Sequence, residues 1–120
     1  MRPSVLIVDD EQNLLVLLDR ILSREGYRVK TATDAYQALM FVDHESFGVA
    51  ILDIRMYPID GLALLSEIKI RSPTTEVIMM TAYPTAQARK TCTTLGIANV
   101  LTKPLDIQEL KAEVCRLLAA

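Results

Sequence analysis

The sequence predicts a doubly wound α/β fold, in which a five-stranded parallel sheet carries helices on both faces. Apolar runs of strand length alternate five times with segments whose apolar residues recur at helical spacing. Such alternation requires crossovers between parallel strands, and right-handed crossovers leave few topologies. We therefore predict the strand order 2-1-3-4-5. At 120 residues, 51% of them hydrophobic, the chain has the size and composition of one domain, which we predict to span residues 1–120.

The first strand and helix lie at the start of the chain. Residues 5–8 form an apolar run of strand length, and apolar residues then recur at helical spacing until Gly26, which marks a helix stop. The apolar positions predicted to face inward from this helix are Leu14, Leu17, Leu18, Ile21 and Leu22.

The next strand, helix and strand complete the first half of the chain. Weak alternation over residues 27–32 predicts a short strand. Thr33 and Asp34 are candidate N-caps for a helix that runs over about residues 35–45. Residues 49–53 are almost wholly apolar, which predicts a central strand covered on both faces.

The second half of the chain repeats the pattern. Gly61 opens a helix that ends near Ser72, and residues 76–80 form a strand. The segment 84–95 lacks a large apolar stripe, and its threonines lower the helix propensity, so we predict that it is the least firmly anchored helix. Residues 98–101 form the last strand. The closing helix turns four apolar residues inward: Ile107, Leu110, Val114 and Leu117.

Composition excludes several functions. The formal net charge is -2 and the basic residues form no cluster, so we expect no direct nucleic-acid binding by this segment. Cys92 and Cys115 lie outside any metal-binding spacing, and we expect two buried thiols in a reducing compartment. No leader and no apolar stretch of membrane-spanning length is present, which predicts a soluble cytoplasmic protein. We expect His44 at the surface, and three methionines in the core: Met56, Met79 and Met80.

Four of the apolar runs end on polar residues that suit phosphate chemistry. The first run ends on Asp9 and Asp10, and later runs end on Asp53, Thr81 and Lys103. Parallel strands place their carboxyl ends at one edge of the sheet, and in the flavodoxin-like order 2-1-3-4-5 the ligand crevice lies between the first and third strands. The sequence therefore predicts that three carboxylates, a hydroxyl and an ammonium group converge on one site.

The chemistry of these groups indicates phosphoryl transfer assisted by a metal. Three adjacent carboxylates repel one another, so at least one is expected to have a raised pKa unless a cation is bound. A hard divalent ion relieves the repulsion, and Mg²⁺ suits carboxylate and phosphate oxygens. Phosphoryl transfer needs an oxygen nucleophile and positive charge around the phosphoryl oxygens. We assign Asp53 as the nucleophile, Lys103 and Mg²⁺ as the positive charge, and Thr81 as a donor that senses the transferred group.

The same residues carry a resemblance to a known family over the whole chain. The chain resembles the receiver domain of two-component response regulators, and the motifs that match occur in the family's order. They are Val8-Asp9-Asp10, the D-x-x-M pattern of Asp53 and Met56 leading to Asp60-Gly61, Thr81-Ala82, and Lys103-Pro104.

The resemblance implies a CheY-like fold and a signalling switch rather than a metabolic enzyme. It implies that a partner histidine kinase or phosphotransfer protein donates a phosphoryl group to Asp53, and that Thr81 and Lys103 contact the phosphoryl oxygens. Mg²⁺ would be held by Asp9, Asp10, Asp53 and the backbone carbonyl of Arg55. The last two helices and the strand between them would form the signalling surface toward an output domain or a downstream protein, with homodimerisation on activation left open.

The sequence departs from the usual receiver pattern at two places. Pro58 falls one residue later than usual after the Met56 position, although the distance to Gly61 is preserved. Val100 stands where many receivers carry Tyr or Phe, so we expect a simpler coupling from the site to the surface. Arg55 and Tyr83 occupy the two loop positions that tend to tune hydrolysis in receivers, and their size predicts a phosphoaspartate that persists.

Three other functions are compatible with parts of this pattern. A pseudo-receiver would bind partners without being phosphorylated, and Tyr57 and Val100 keep that alternative open. A phosphoaspartyl phosphatase would carry a second Asp two residues after the nucleophile, where this chain has Arg55. An FMN carrier would need a phosphate loop after the first strand, where Asp9, Asp10 and Glu11 would repel the phosphate.

Overall fold

The predicted doubly wound fold is confirmed by the structure, a computed structural model that describes residues 2–97 and 99–119. Within those residues, five strands form one parallel sheet in the order β2-β1-β3-β4-β5 and alternate along the chain with five helices. The strands are β1 (Ser4–Val8), β2 (Arg28–Ala32), β3 (Val49–Asp53), β4 (Glu76–Thr81) and β5 (Val100–Thr102). The helices are α1 (Gln12–Arg24), α2 (Ala35–His44), α3 (Gly61–Arg71), α4 (Ala86–Thr94) and α5 (Ile107–Leu118).

The core has two layers, one on each face of the sheet. Successive strand residues point to opposite faces, so Leu6 and Val8 pack under α2, α3 and α4, whereas Val5 and Ile7 pack under α1 and α5. All five residues of β3 are buried, as predicted for a central strand. The central strand β3 therefore ends on Asp53, and its neighbour β1 leads directly into Asp9.

Side-chain caps fix where several helices begin. The Asp34 carboxylate accepts the Gln37 N–H at 2.8 Å, and Asp60 accepts the Ala63 N–H at 2.8 Å. Asp34 is therefore the N-cap of α2, while the N–H of the other candidate, Thr33, donates to the Gln37 side chain at 2.9 Å. These caps stabilise the helix starts that follow the strand ends.

Two predicted element starts differ from the structure by two residues, whereas β1, β2 and β4 differ from their predicted bounds by one. Helix α4 begins at Ala86 rather than at residue 84, because the Thr85 hydroxyl caps it by accepting the Ala88 N–H at 3.1 Å. Strand β5 begins at Val100 and continues to Thr102, which pairs with the last residue of β4. Residue 98, where the last strand was predicted to begin, lies outside the described residues.

Two predictions of burial were wrong. Leu17 is 46% exposed, because the inward stripe of α1 runs through Leu15, Leu18 and Leu22 instead. Cys115 is exposed, because it follows Val114, which points into the core, and so lies on the outer side of α5. The apolar character of a residue does not by itself decide which side of a helix it occupies.

Other predictions of burial are confirmed. Met79 and Met80 are fully buried and Met56 nearly so, while His44 is exposed at the end of α2. Cys92 is buried, and burial raises the pKa of its thiol, which keeps it neutral. In the described part of the chain, none of the helices is long and apolar enough to cross a membrane.

Helix α4 has the weakest hold on the core, as the sequence predicts. Its buried residues are only Ala88 and Cys92. Helix α2 also buries only two alanines, but it packs Leu39, Phe41 and Val42 partly against the core, whereas α4 contributes no large apolar side chain. Three of its threonines donate their hydroxyls to carbonyl oxygens one turn earlier at 3.0 Å, a pattern that slightly destabilises and bends helices. We therefore expect α4 to respond readily to movement at the end of β4.

Candidate functional site

The polar residues at the strand ends meet at the carboxyl edge of the sheet. Asp9 follows β1 and Asp53 ends β3, and these strands pair through Val8 and Leu52. Ligand oxygens of Asp9, Asp10 and Asp53 all lie within 4.8 Å of one another. The predicted convergence of three carboxylates is therefore present.

Lys103 lies between two of these carboxylates. Its Nζ is 2.7 Å from Asp9 Oδ2 and 3.4 Å from Asp53 Oδ2, and only 18% of its side chain is exposed. Asp9 is fully buried, and its other oxygen accepts the Glu11 N–H at 2.8 Å. Since a buried charge must be paired or hydrogen-bonded, these contacts fix the Asp9 carboxylate in place.

Burial and the close approach of these charged groups shift the pKa values of Asp53 and Lys103. Burial raises the pKa of Asp53 above its ordinary value of 3.8, and the charge of Asp9 raises it further. Lys103 and the Arg55 N–H, which donates to Asp53 Oδ1 at 3.3 Å, oppose that rise without cancelling it. For Lys103, burial acts to lower the pKa, but the hydrogen bond to Asp9 and the two carboxylate charges outweigh it, so the pKa is raised. The pKa of Lys103 and the pKa of Asp53 are thus both raised above their ordinary values.

The raised pKa of Asp53 predicts that this residue destabilises the protein at neutral pH when no divalent cation is present. A carboxyl whose pKa is higher in the folded state binds protons more tightly there, so the free energy of unfolding falls as pH rises from about 3.8 through the raised pKa. We expect Asp53→Asn to raise the Tm at pH 7 in chelator, because the neutral amide removes a buried charge that Asp9 repels.

Thermal unfolding of the wild type and Asp53→Asn across pH 3 to 8 measures this effect. The two curves should converge at low pH, where the wild-type carboxyl is protonated. Asp19→Asn, in α1, is the matched control and should not reproduce the gain, because Asp19 is only half-buried and its carboxylate accepts the Ser23 hydroxyl at 2.8 Å. An Asp53→Asn protein that is less stable than the wild type at pH 7 would contradict the electrostatic argument.

Thr81 lies fully buried at the end of β4, beside the acidic residues. Its hydroxyl oxygen accepts the Tyr83 N–H at 3.0 Å, and its carbonyl accepts the Lys103 N–H at 2.8 Å. A hydroxyl that accepts one hydrogen bond still has its own hydrogen to donate. Thr81 is thus positioned to donate to a new acceptor while its backbone joins β4 to the loop that carries Lys103.

A cavity of about 520 Å³ opens beside the aspartates, between the loops that follow β3 and β4. Asp10, Arg55, Tyr57 and Tyr83 are among the residues that line it. The Arg55 guanidinium carbon lies 4.8 Å from the centre of the Tyr83 ring, a cation–π contact between the two loops. The sequence placed both residues near the site, but their spacing contains no signal of this contact.

Sequence reasoning also missed the role of Gly61. Its N–H donates to the Ile54 carbonyl at 2.8 Å, and a Cβ on residue 61 would lie 2.0 Å from the Asp53 carbonyl oxygen. The first turn of α3 therefore packs directly against the end of β3. The sequence signal was an Asp-Gly pair at a helix start, but it indicates a cap as readily as a close approach.

The two departures from the family pattern leave the frame of the site intact. The peptide bond before Pro58 is cis, as is the one before Pro104, and α3 begins at Gly61 as the preserved spacing requires. Val100 is half-buried and packs against the core layer under α2, α3 and α4. The Arg55 carbonyl remains a predicted metal ligand.

The sheet order and the acidic edge define a doubly wound α/β domain with a cluster of carboxylates at the carboxyl ends of its strands. The chain belongs to the response regulator receiver domain family, whose model matches residues 5–115. It is thus a domain of two-component signalling proteins and not a metabolic enzyme.

Individual relatives support the same assignment. The chain is 36% identical over 97% of its length to the transcriptional regulatory protein ZraR of Escherichia coli, of which it spans only 26%. It is 32% identical over 95% of its length to sporulation initiation phosphotransferase F of Bacillus subtilis, of which it covers 92%. The chain therefore spans about a quarter of one relative and nearly all of the other.

Solved structures share the fold closely. A CheY-like receiver domain protein from Methanospirillum hungatei superposes with a TM-score of 0.93 at 28% identity, covering 97% of this chain and 93% of that one. The response regulator TrrA of Thermotoga maritima, solved in complex with Mg²⁺ and beryllium fluoride, gives a TM-score of 0.85 at 33% identity, covering 97% and 99%.

Proposed function

We propose that this domain is a phosphorylation switch in which Asp53 accepts a phosphoryl group from a phosphohistidine of a histidine kinase or phosphotransfer protein. An Asp53 carboxylate oxygen attacks phosphorus, a P–O bond forms, and the P–N bond breaks with its electron pair leaving on the imidazole. The observation that carries the proposal is the position of Lys103, whose Nζ lies 2.7 Å from Asp9 and 3.4 Å from Asp53. An ammonium group held there neutralises charge on a phosphoryl group attached to Asp53.

The acidic residues fit Mg²⁺ by the chemistry of their donors. Asp9, Asp10 and Asp53 offer oxygen ligands within 4.8 Å of one another, and Asp10 is exposed, which leaves room for water and phosphate oxygens. We propose that these three residues and the Arg55 carbonyl hold the ion. When bound, Mg²⁺ neutralises the carboxylates and the phosphoryl oxygens.

The Thr81 hydroxyl is proposed to sense the product. It donates to a phosphoryl oxygen that exists only after transfer, and its movement is passed along the backbone to α4, the helix with the weakest hold on the core. The surface of α4, β5 and α5 then signals to an output domain or a downstream protein, or to a second copy. The large side chains of Arg55 and Tyr83 beside the acceptor support a phosphoaspartate that persists.

The test of the proposed function is intact mass after incubation with acetyl phosphate, with and without Mg²⁺. We expect the wild type to gain the mass of one phosphoryl group only when Mg²⁺ is present, and Asp53→Asn to gain none. Asp19→Asn is the matched control and should gain it fully. A wild type that gains no mass under any condition would place the pseudo-receiver first, and equal gain in Asp53→Asn would overturn the assignment of the acceptor.

A further inference from the structure

One contact ties together the two loops that flank Asp53. The Arg55 side chain, in the loop after β3, lies over the ring of Tyr83, in the loop after β4, at 4.8 Å from its centre. Arg55 is exposed and 62% of Tyr83 is exposed. Because neither residue belongs to the core, packing of the fold does not account for their contact.

The backbone N–H of each residue in this pair also donates a hydrogen bond to a residue of the proposed switch, Asp53 or Thr81. The Arg55 N–H donates to Asp53 Oδ1 at 3.3 Å, and the Tyr83 N–H donates to Thr81 Oγ1 at 3.0 Å. The phosphoryl acceptor and the sensing hydroxyl are therefore linked through the stacked side chains as well as through the sheet. A movement of the Thr81 hydroxyl would therefore act on the Tyr83 N–H, and a movement of the Tyr83 ring would act on its contact with Arg55.

We propose that the Arg55–Tyr83 stack is a latch that holds the Thr81 hydroxyl in its resting position and opens when a phosphoryl group forms on Asp53. The inference rests on the proposed function and adds a restraint that the transferred group must overcome. Arg55 is thus a positioning residue, which acts on Thr81 through Tyr83.

The hydrogen bonding of Thr81 explains why the latch opposes switching. When its hydroxyl oxygen moves toward a phosphoryl oxygen, the Tyr83 N–H must follow or lose its acceptor. Pro84 restricts the backbone of Tyr83 to extended conformations. We therefore expect the N–H and the ring of Tyr83 to move together. The ring then leaves Arg55, and the loss of an exposed cation–π contact shifts the equilibrium about two- to fivefold toward the resting state.

The positive charge of Arg55 by itself attracts an anionic group. A double-mutant cycle separates the effect of this charge on affinity from the effect of the latch. The measurement is the apparent affinity for beryllium fluoride, a phosphoryl mimic, in the presence of Mg²⁺. With Arg55 in place, Tyr83→Leu is expected to tighten binding about two- to fivefold. In an Arg55→Ala background the same change is expected to have no effect, because the stack is already absent.

Tyr83→Phe is the conservative control, since it keeps the ring and should behave as the wild type. The latch is overturned if Tyr83→Leu has the same effect in both backgrounds, or if Tyr83→Phe reproduces the effect of Tyr83→Leu.

Amide hydrogen exchange of residue 83 in the resting protein tests the latch without any phosphoryl chemistry. We expect its exchange to be about two- to fivefold faster in Arg55→Ala than in the wild type, because the loop opens more often. If the wild type fails to bind beryllium fluoride, the proposed function fails, and the exchange rate still decides whether the stack restrains Tyr83. If binding is normal and exchange is unchanged, only the latch fails.

Discussion

Replacement of Gly61 by alanine is expected to destabilise the domain by about 3 kcal/mol or more and to abolish phosphoryl uptake. Helix propensity alone predicts the opposite sign, a gain of about 1 kcal/mol in α3. The steric effect outweighs it, because the added Cβ would lie 2.0 Å from the Asp53 carbonyl oxygen and 2.8 Å from the Ile54 Cα. Both neighbours are backbone atoms at or next to the end of a buried strand, so the clash displaces Asp53, the proposed phosphoryl acceptor.

Urea unfolding and the acetyl phosphate assay together test this expectation, at low temperature if the variant is only marginally folded. Gly26→Ala is the matched control, because Gly26 has a φ of +96° but no atom within 4 Å of an added Cβ. Its strain is purely conformational and is expected to cost about 1–2 kcal/mol without loss of uptake. A Gly61→Ala protein that is as stable and as readily phosphorylated as the wild type would contradict the close approach.

The fold could be predicted from the sequence because its main signals are local. The central strands are almost wholly apolar, and the helices between them have caps such as Asp34 and Asp60. The errors at Leu17 and Cys115 arise from helical phase, because an apolar residue one position from the inward stripe can turn either way. Only the packing of the neighbouring elements decides its side.

The site, like the fold, has one part that the sequence predicts and another that it does not. The positions of Asp9 and Asp53 follow from parallel topology, since β1 and β3 are adjacent and their carboxyl ends must be neighbours. Lys103 follows β5 at the same edge of the sheet, two strands from β3, and reaches both carboxylates with its long side chain. The stack of Arg55 on Tyr83 does not follow, because loop side chains have no periodicity and their directions depend on both loop paths. Contacts between loops are therefore the part of the site that only a structure supplies.

Lys103→Met is expected to change two measurable properties of the site in opposite directions. Phosphoryl uptake should be at least about 100-fold slower, because the ammonium group that is proposed to neutralise the phosphoryl oxygens is lost. Mg²⁺ binding should instead tighten about tenfold, the factor that 1.4 kcal/mol of relieved repulsion produces. The ammonium group lies 2.7 Å from Asp9 and 3.4 Å from Asp53, two of the proposed metal ligands, so it competes with the ion for the same charge.

Calorimetric titration with Mg²⁺ and the rate of uptake from acetyl phosphate measure the two effects on one protein. Lys111→Met is the matched control, because the ammonium group of Lys111, in α5, pairs with Glu25, the C-cap of α1, at 3.8 Å, and neither property should change. If Mg²⁺ affinity and uptake fall together in Lys103→Met, the lysine acts mainly by holding Asp9 in position. Opposite shifts mean that Lys103 lowers the affinity of the resting site for its metal and is retained because it stabilises the transferred phosphoryl group.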